Sequence, residues 1–215
     1  MRVAGILVTV AVVCGGGGGC CGLGSIARAD APHADDFVDL AVAAPTVARD
    51  LRYATADNFT HQVVYPAARC LLRRDVAERI ARVQAALARQ KLGLKLWDCY
   101  RPLSVQRRFW ALVPDSRYVA NPAQGSRHNR GAAVDVTLVG SDGRELDLGT
   151  PFDEFSPRAH RDATDLAAAA VANRATLTAA MAAEGFVGLP TEWWHFDAPG
   201  WRHYPIADVP LTAAK

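Results

Sequence analysis

Three side chains able to share one metal ion stand far apart in this sequence. His128 and Asp135 lie in Ser126-Arg127-His128-Asn129-Arg130-Gly131-Ala132-Ala133-Val134-Asp135, and His195 lies in Glu192-Trp193-Trp194-His195, sixty residues after Asp135. Any fold that unites them is tightly constrained. Run as one straight strand, His128 and Asp135 would hold their Cα atoms about 23 Å apart at about 3.3 Å per residue, whereas ligand bonds to one ion are about 2 Å long. The chain must therefore fold back between them. Gly131 supplies a permissive backbone for that turn, and Ala133-Val134-Asp135-Val136-Thr137-Leu138 reads as a buried strand that carries Asp135 inward. Glu192 and His195, three apart, share a face on a helical turn but not on a flat strand. A turn or kinked strand is predicted there.

Two imidazoles and a carboxylate are a ligand set that leaves a fourth zinc position open to water. Glu192 is then a spare carboxylate beside such a water, a combination that implies metal-assisted hydrolysis of the metallopeptidase kind. Each residue also has a plainer reading. A lone histidine near a glycine is usually a surface or core residue, and Trp193-Trp194 is more often core than chemistry. The convergence of four groups in two frames outweighs these readings. His33, His61, His160 and His203 have no such frame and are read as ordinary histidines. No His-Glu-x-x-His occurs, and Cys20-Cys21 has no second pair to complete a structural zinc site.

The pattern Ser126-x-His128-x-x-Gly131-x-Ala133-x-Asp135 with Glu192-x-Trp194-His195 resembles the zinc D-alanyl-D-alanine dipeptidases, the family that includes the dipeptidase of vancomycin resistance. Three further segments resemble it in the same order: Asp50 to Thr60, Trp97-Asp98-Cys99-Tyr100-Arg101-Pro102, and Leu148-Gly149-Thr150-Pro151-Phe152-Asp153. The similarity runs from about residue 45 to 200. Related D,D-carboxypeptidases, cell-wall endopeptidases and zinc-binding signalling domains share the metal motifs alone, so the segments at 50–60 and 97–102 narrow the resemblance to the dipeptidases.

The resemblance implies one Zn2+ per chain held by His128, Asp135 and His195, with Glu192 as general base and Arg101 as the arginine that stabilises the transition state. It implies Asp153 as the anion for the substrate ammonium, with Glu192 sharing that task. Ser126, Tyr53 and Tyr65 are candidates to bind the substrate carboxylate or to wall its methyl pockets. A tyrosine in such a segment also reads as packing, and Asp57-Asn58 also reads as a turn. The plain reading of Arg101 is a surface ion pair. The implied function is hydrolysis of D-Ala-D-Ala in cell-wall metabolism or glycopeptide resistance. Two alternatives stay open: a D,D-carboxypeptidase on peptidoglycan stem peptides, and a non-catalytic, zinc-stabilised wall-binding module.

Composition agrees with one small globular domain: 215 residues, 50% hydrophobic and 21% charged, can bury one sizeable core. Net charge is +2, from 24 basic and 22 acidic residues, and no basic patch suggests nucleic acid. Residues 1–29 read as a secretory signal peptide: Met1-Arg2, an apolar run from Val3 to Val13, and the small-x-small site Ala27-Arg28-Ala29. The run is too short to span a membrane. The expected location is periplasmic or secreted, with lipid attachment at Cys20 as an alternative. Cys70 and Cys99 would then be the only cysteines of the mature chain, and an oxidising compartment permits their pairing. Two buried free thiols are the other reading.

The expected fold class is α+β, a single domain at 45–215 in which flanking helices cover a small antiparallel sheet carrying the zinc site. It resembles the D,D-peptidase or hedgehog-like fold. Asp75-Val76-Ala77-Glu78 reads as a capping box. The following helix turns Val76, Ile80, Val83 and Leu87 to the core and stops at Gly93. A strand through Leu94 and Leu96 leads to Arg101, followed by a short helix at Ser104 to Leu112. Two alanine-rich helices are expected at 162–172 and 173–184, the second ending at Gly185. Residues 30–44 read as a loose linker.

Overall fold

The computed structural model describes residues 37–212. The expected signal peptide, residues 30–36 and Cys14, Cys20 and Cys21 lie outside them. Residues 37–44, expected as linker, instead form β1 (Phe37–Asp39) and α1 (Leu40–Ala43). Asp39 caps α1 by accepting from the N–H of Ala41 at 2.9 Å, and Leu40 is completely buried. Such short elements carry no periodicity of their own. They exist because β1 pairs antiparallel with β3 (Leu71–Arg73).

A five-stranded sheet positions the site. Its order is β2 (Ala48–Arg49), β4 (Leu92–Asp98), β5 (Ala133–Gly140), β7 (His195–Asp197) and β6 (Val187–Gly188). The sheet is antiparallel as expected, except that β2 runs parallel to β4. Helices α2 (Arg74–Ala88) and α4 (Ala168–Ala183) touch each other and pack on β4 and β5. Val134, Val136 and Leu138 share the main core with Val76, Ile80, Val83, Leu87, Leu177 and Met181. Each large apolar side chain so buried contributes about 1.5–3 kcal/mol relative to exposure. Alternation along β5 then turns Asp135 to the opposite face of the sheet, away from the helices.

Several element boundaries differ from expectation. Helix α2 begins after Arg73 with no side-chain cap, and Asp75 lies inside its first turn, where its carboxylate accepts from the Tyr204 hydroxyl. The helix ends at Ala88, and Lys91 takes the left-handed conformation before β4. Gly93 lies within β4, where a Cβ would come within 3.2 Å of the Gln84 amide and 3.3 Å of Val139. It is there to let strand and helix approach. The two expected alanine-rich helices are one: residues 162–167 form turns, and α4 begins only at Ala168. Short polar side chains such as Asp162, Thr164 and Asp165 favour turns over helix interior, and Asp165 is drawn off by Arg158 at 2.7 Å. Helix α3 (Leu103–Leu112) lies where expected. No helix among the described residues is long and apolar enough to cross a membrane.

Candidate active site and metal centre

His128 opens a single 3-10 turn, His128–Arg130, and Gly131 follows at φ 65°. A Cβ on Gly131 would lie 2.3 Å from the Phe37 ring, so only glycine fits this reversal. The chain then runs back as β5. Asp135 is paired directly with His195, the first residue of β7. The turn predicted before His195 is present, with its N–H directed at the Glu192 carbonyl at 3.4 Å.

Three buried atoms thereby converge. His128 Nε2 is 3.1 Å from His195 Nδ1 and 3.4 Å from Asp135 Oδ1, and His195 Nδ1 is 3.1 Å from Asp135 Oδ1. The outer nitrogens are both engaged: His128 Nδ1 bonds the main-chain carbonyl of Cys99 at 2.7 Å, and His195 Nε2 bonds Asp197 Oδ1 at 2.9 Å. Each outer contact makes its nitrogen the donor and leaves a lone pair facing the centre, the arrangement that orients metal-binding imidazoles. Such a centre demands a cation. Burial works against a charged His195, yet the Asp135 and Asp197 carboxylates outweigh it and push its pKa up to about 10, so these acids favour positive charge at the centre, and a bound metal ion would take the place of the Nδ1 proton. Burial likewise opposes the Asp135 carboxylate, but His128 and His195 keep it well below the usual range. Two imidazoles and one carboxylate within 4.8 Å of one another fit a divalent metal. Among the described residues, His61, His160 and His203 join no such group.

Around the centre lies a small cavity of about 90 Å³ whose walls include Tyr53, Arg101, Ser126, Asp153 and Glu192. Larger cavities, of about 230, 360 and 480 Å³, gather no converging metal-ligand set among the described residues, so the chemistry of the donors, not size, marks the site. Glu192 Oε2 is 3.9 Å from His195 Nδ1. Burial pushes its carboxyl up to about 8 against the pull of His195, a value suited to accepting and releasing a proton near neutrality.

Arg101 forms an ion pair and also lines the cavity. Its Nε and Nη2 donate to Asp98 Oδ2 at 3.1 and 2.7 Å, and Nη1 donates to Gln106 at 2.9 Å, while the side chain lines the cavity. The ion pair is buried, not superficial. Asp98 reaches this position through an irregularity in β4: Leu96 pairs with Val136, but Asp98 pairs with Asp135. The extra residue, Trp97, re-aims the acid as a bulge does.

Asp153 lines the cavity at φ 60° and accepts from both the Tyr53 hydroxyl, at 3.0 and 3.1 Å, and the Phe59 N–H, at 3.3 Å. Burial, aided by the charge of Asp135, pushes its carboxyl up to about 7. Tyr53 therefore lines the cavity, but its hydroxyl is directed at Asp153. Ser126 also lines it, and its Oγ accepts from the His128 N–H at 3.2 Å. Tyr65 is a correction. It does not line the cavity; it is fully buried behind it, and its hydroxyl donates to Asp98 Oδ1 at 2.8 Å. Cys70 and Cys99 are disulfide-bonded, with Cα atoms 5.2 Å apart.

Sequence reasoning missed Asp98, Gln106 and Asp197. Asp197 was findable, because a His-x-Asp pair on a strand shares one face. Asp98 was not, since its orientation depends on the bulge.

Residues 33–209 match the family described as D-ala-D-ala dipeptidase. Over 171 residues the chain is 41% identical to the D-alanyl-D-alanine dipeptidase of Escherichia coli (strain K12), covering 80% of this chain and 89% of that protein. It is 34% identical to the enzyme of that name from Enterococcus faecium and 36% to that from Streptomyces coelicolor, each over 168 residues, 68% of this chain and 83% of the relative. With these matches and a metal-ligand triad beside a buried acid, the chain belongs to the D-ala-D-ala dipeptidase family and is a metallopeptidase.

Proposed function

We propose that this enzyme hydrolyses the free dipeptide D-Ala-D-Ala to two D-alanines, using one zinc ion per chain. The observation that carries the reading is the convergence of His128, His195, Glu192, Arg101 and Asp153 on one cavity of about 90 Å³, with Asp135 completing the metal-ligand triad behind the two histidines, far below the roughly 300–1,000 Å³ of sites for drug-sized ligands. Zinc is the choice because two imidazoles, one carboxylate and an open position are its catalytic pattern.

When bound, the metal supplies an acidified water and positive charge for the developing oxyanion. The chain's own groups do the rest. Glu192 takes the proton of the attacking water and passes it to the leaving amine as the C–O bond forms and the C–N bond breaks. Arg101, fixed by Asp98 and Gln106, holds negative charge on the scissile oxygen. Asp153 receives the substrate ammonium, and Ser126 and Arg127, both on the cavity wall, remain as donors for its carboxylate.

A purely structural metal site would be closed by a fourth ligand and needs no buried acid beside it, which disfavours the wall-binding alternative. We further propose an exported protein acting in cell-wall dipeptide turnover, of which glycopeptide resistance is one form. The Cys70–Cys99 bond supports export, because such bonds persist in oxidising compartments. The test is amino-acid release from D-Ala-D-Ala beside L-Ala-L-Ala and N-acetyl-D-Ala-D-Ala. Only the first is expected to be cut efficiently. Equal cleavage of the acetylated compound would replace this reading with the carboxypeptidase.

A further inference from the structure

The wall of the cavity next to Asp153 is aromatic and continuous. Phe59, whose N–H bonds Asp153, meets Phe155 at 5.3 Å between ring centres, and Phe155 stacks on Tyr118 at 5.0 Å with 21° between the planes. All three rings line the cavity, and Phe155 lies two residues beyond Asp153 in the chain. The wall thus begins where the substrate ammonium is held.

Tyr118 is carried by the segment Asp115–Ala120, which is fastened at two points beside the catalytic groups. Gln106 Nε2 donates to the Ala120 carbonyl at 2.7 Å while its Oε1 accepts from Arg101. Thr191, the neighbour of Glu192, donates its hydroxyl to the Arg117 carbonyl at 3.0 Å. A stack held in this way is a fixed wall. Offset or tilted aromatic pairs also gain from each other beyond mere area, so it resists parting for a larger ligand.

We propose that the Phe155–Tyr118 stack is the specificity determinant that restricts this enzyme to dipeptides with an unextended N-terminus, by occupying the space a substituent on the amine would need. This rests on the dipeptidase reading and names the residues that impose its size limit. Charge and bulk are separable. N-propyl-D-Ala-D-Ala keeps a cationic amine for Asp153 but adds an apolar arm, whereas N-acetyl-D-Ala-D-Ala loses the charge as well.

The experiment measures kcat and KM of the metal-loaded wild type, Tyr118→Ala, Phe155→Ala and Tyr118→Phe on all three compounds. Tyr118→Ala and Phe155→Ala are expected to raise kcat/KM for the N-propyl compound at least tenfold relative to D-Ala-D-Ala, mainly through KM. Tyr118→Phe keeps the ring and should keep wild-type selectivity. N-acetyl-D-Ala-D-Ala should stay poor throughout. Wild-type cleavage of the N-propyl compound as fast as the free dipeptide would overturn the inference and leave the dipeptidase reading standing. So would unchanged selectivity in Tyr118→Leu and Phe155→Leu variants that retain metal and a wild-type melting temperature. A wild type inactive on D-Ala-D-Ala itself would instead remove the reading on which the inference rests.

Discussion

The main-chain carbonyl of Cys99 accepts from Nδ1 of His128 at 2.7 Å, so a disulfide-bonded residue fixes the ring whose other nitrogen faces Asp135 and His195 in the candidate metal centre. Cys99 is itself pinned by its N–H to Asp98 Oδ1 at 2.9 Å. The cross-link therefore supports the floor of the site as well as the fold.

Reduction should show this first in stability. A bond spanning a sequence separation of 29 is worth about 3–4 kcal/mol on the chain-entropy model. At about 2–4 °C per kcal/mol for a chain of this size, the melting temperature should fall by about 6–16 °C. Metal should stay bound at stoichiometric loading, because all three ligands remain. Ready alkylation of both thiols in the folded, unreduced protein would contradict the bond.

Replacing His128, Asp135 or His195 by Ala should abolish stoichiometric metal, measured by elemental analysis after dialysis. Glu192→Gln should retain the metal and lower kcat by about a hundred- to ten-thousandfold, the usual contribution of a positioned proton acceptor. Metal-loaded Glu192→Gln with unchanged turnover would place the base elsewhere.

Arg101→Lys keeps the charge but loses the fork that meets Asp98 and Gln106 together. Its kcat should fall by about a hundred- to a thousandfold, as when a donor to the oxyanion is lost, with a smaller change in KM. An effect confined to KM would reassign Arg101 to ground-state binding.

Asp153 must be ionised to pair with an ammonium, and burial pushes its carboxyl up to about 7. A metal cation on Asp135 cancels the second cause of that rise, so the group should titrate at or below this value. KM for D-Ala-D-Ala should therefore increase as the pH falls through that range. Asp153→Asn should raise KM at every pH and flatten the acid limb. A limb that persists unchanged in Asp153→Asn belongs to another group.

Much of the site was legible because its residues are few, chemically distinctive and set in short frames. His128, Asp135, Glu192 and His195 carry the argument in any context, and Gly131 announces the reversal between the first two. What was hidden depends on partners distant in sequence. Tyr65 is a candidate substrate contact by sequence, with packing as its plainer reading, and the loop bearing it folds behind the cavity, its N–H bonded to the Tyr53 carbonyl at 2.8 Å. Elements β1 and α1 were invisible because a three-residue strand is defined by its neighbour, not by its own pattern. The onset of α4 was misplaced because alanine content extends past the point where Asp162 to Asp165 divert the backbone into turns.

On β5, Asp135 has Asp98 on one side and His195 on the other, so three strands deliver their groups in a single row. Strand side chains alternate with period two, and a slip of one residue would turn Asp135 into the helical core. At the far end of the same strand, residues 141–143 form an exposed turn remote from that row. Natural length variation should therefore be sharply uneven. A codon gained or lost at 141–143 is tolerable, while one between Gly131 and Asp135 ends the enzyme. An insertion scan across twelve codons would expose that boundary as a step.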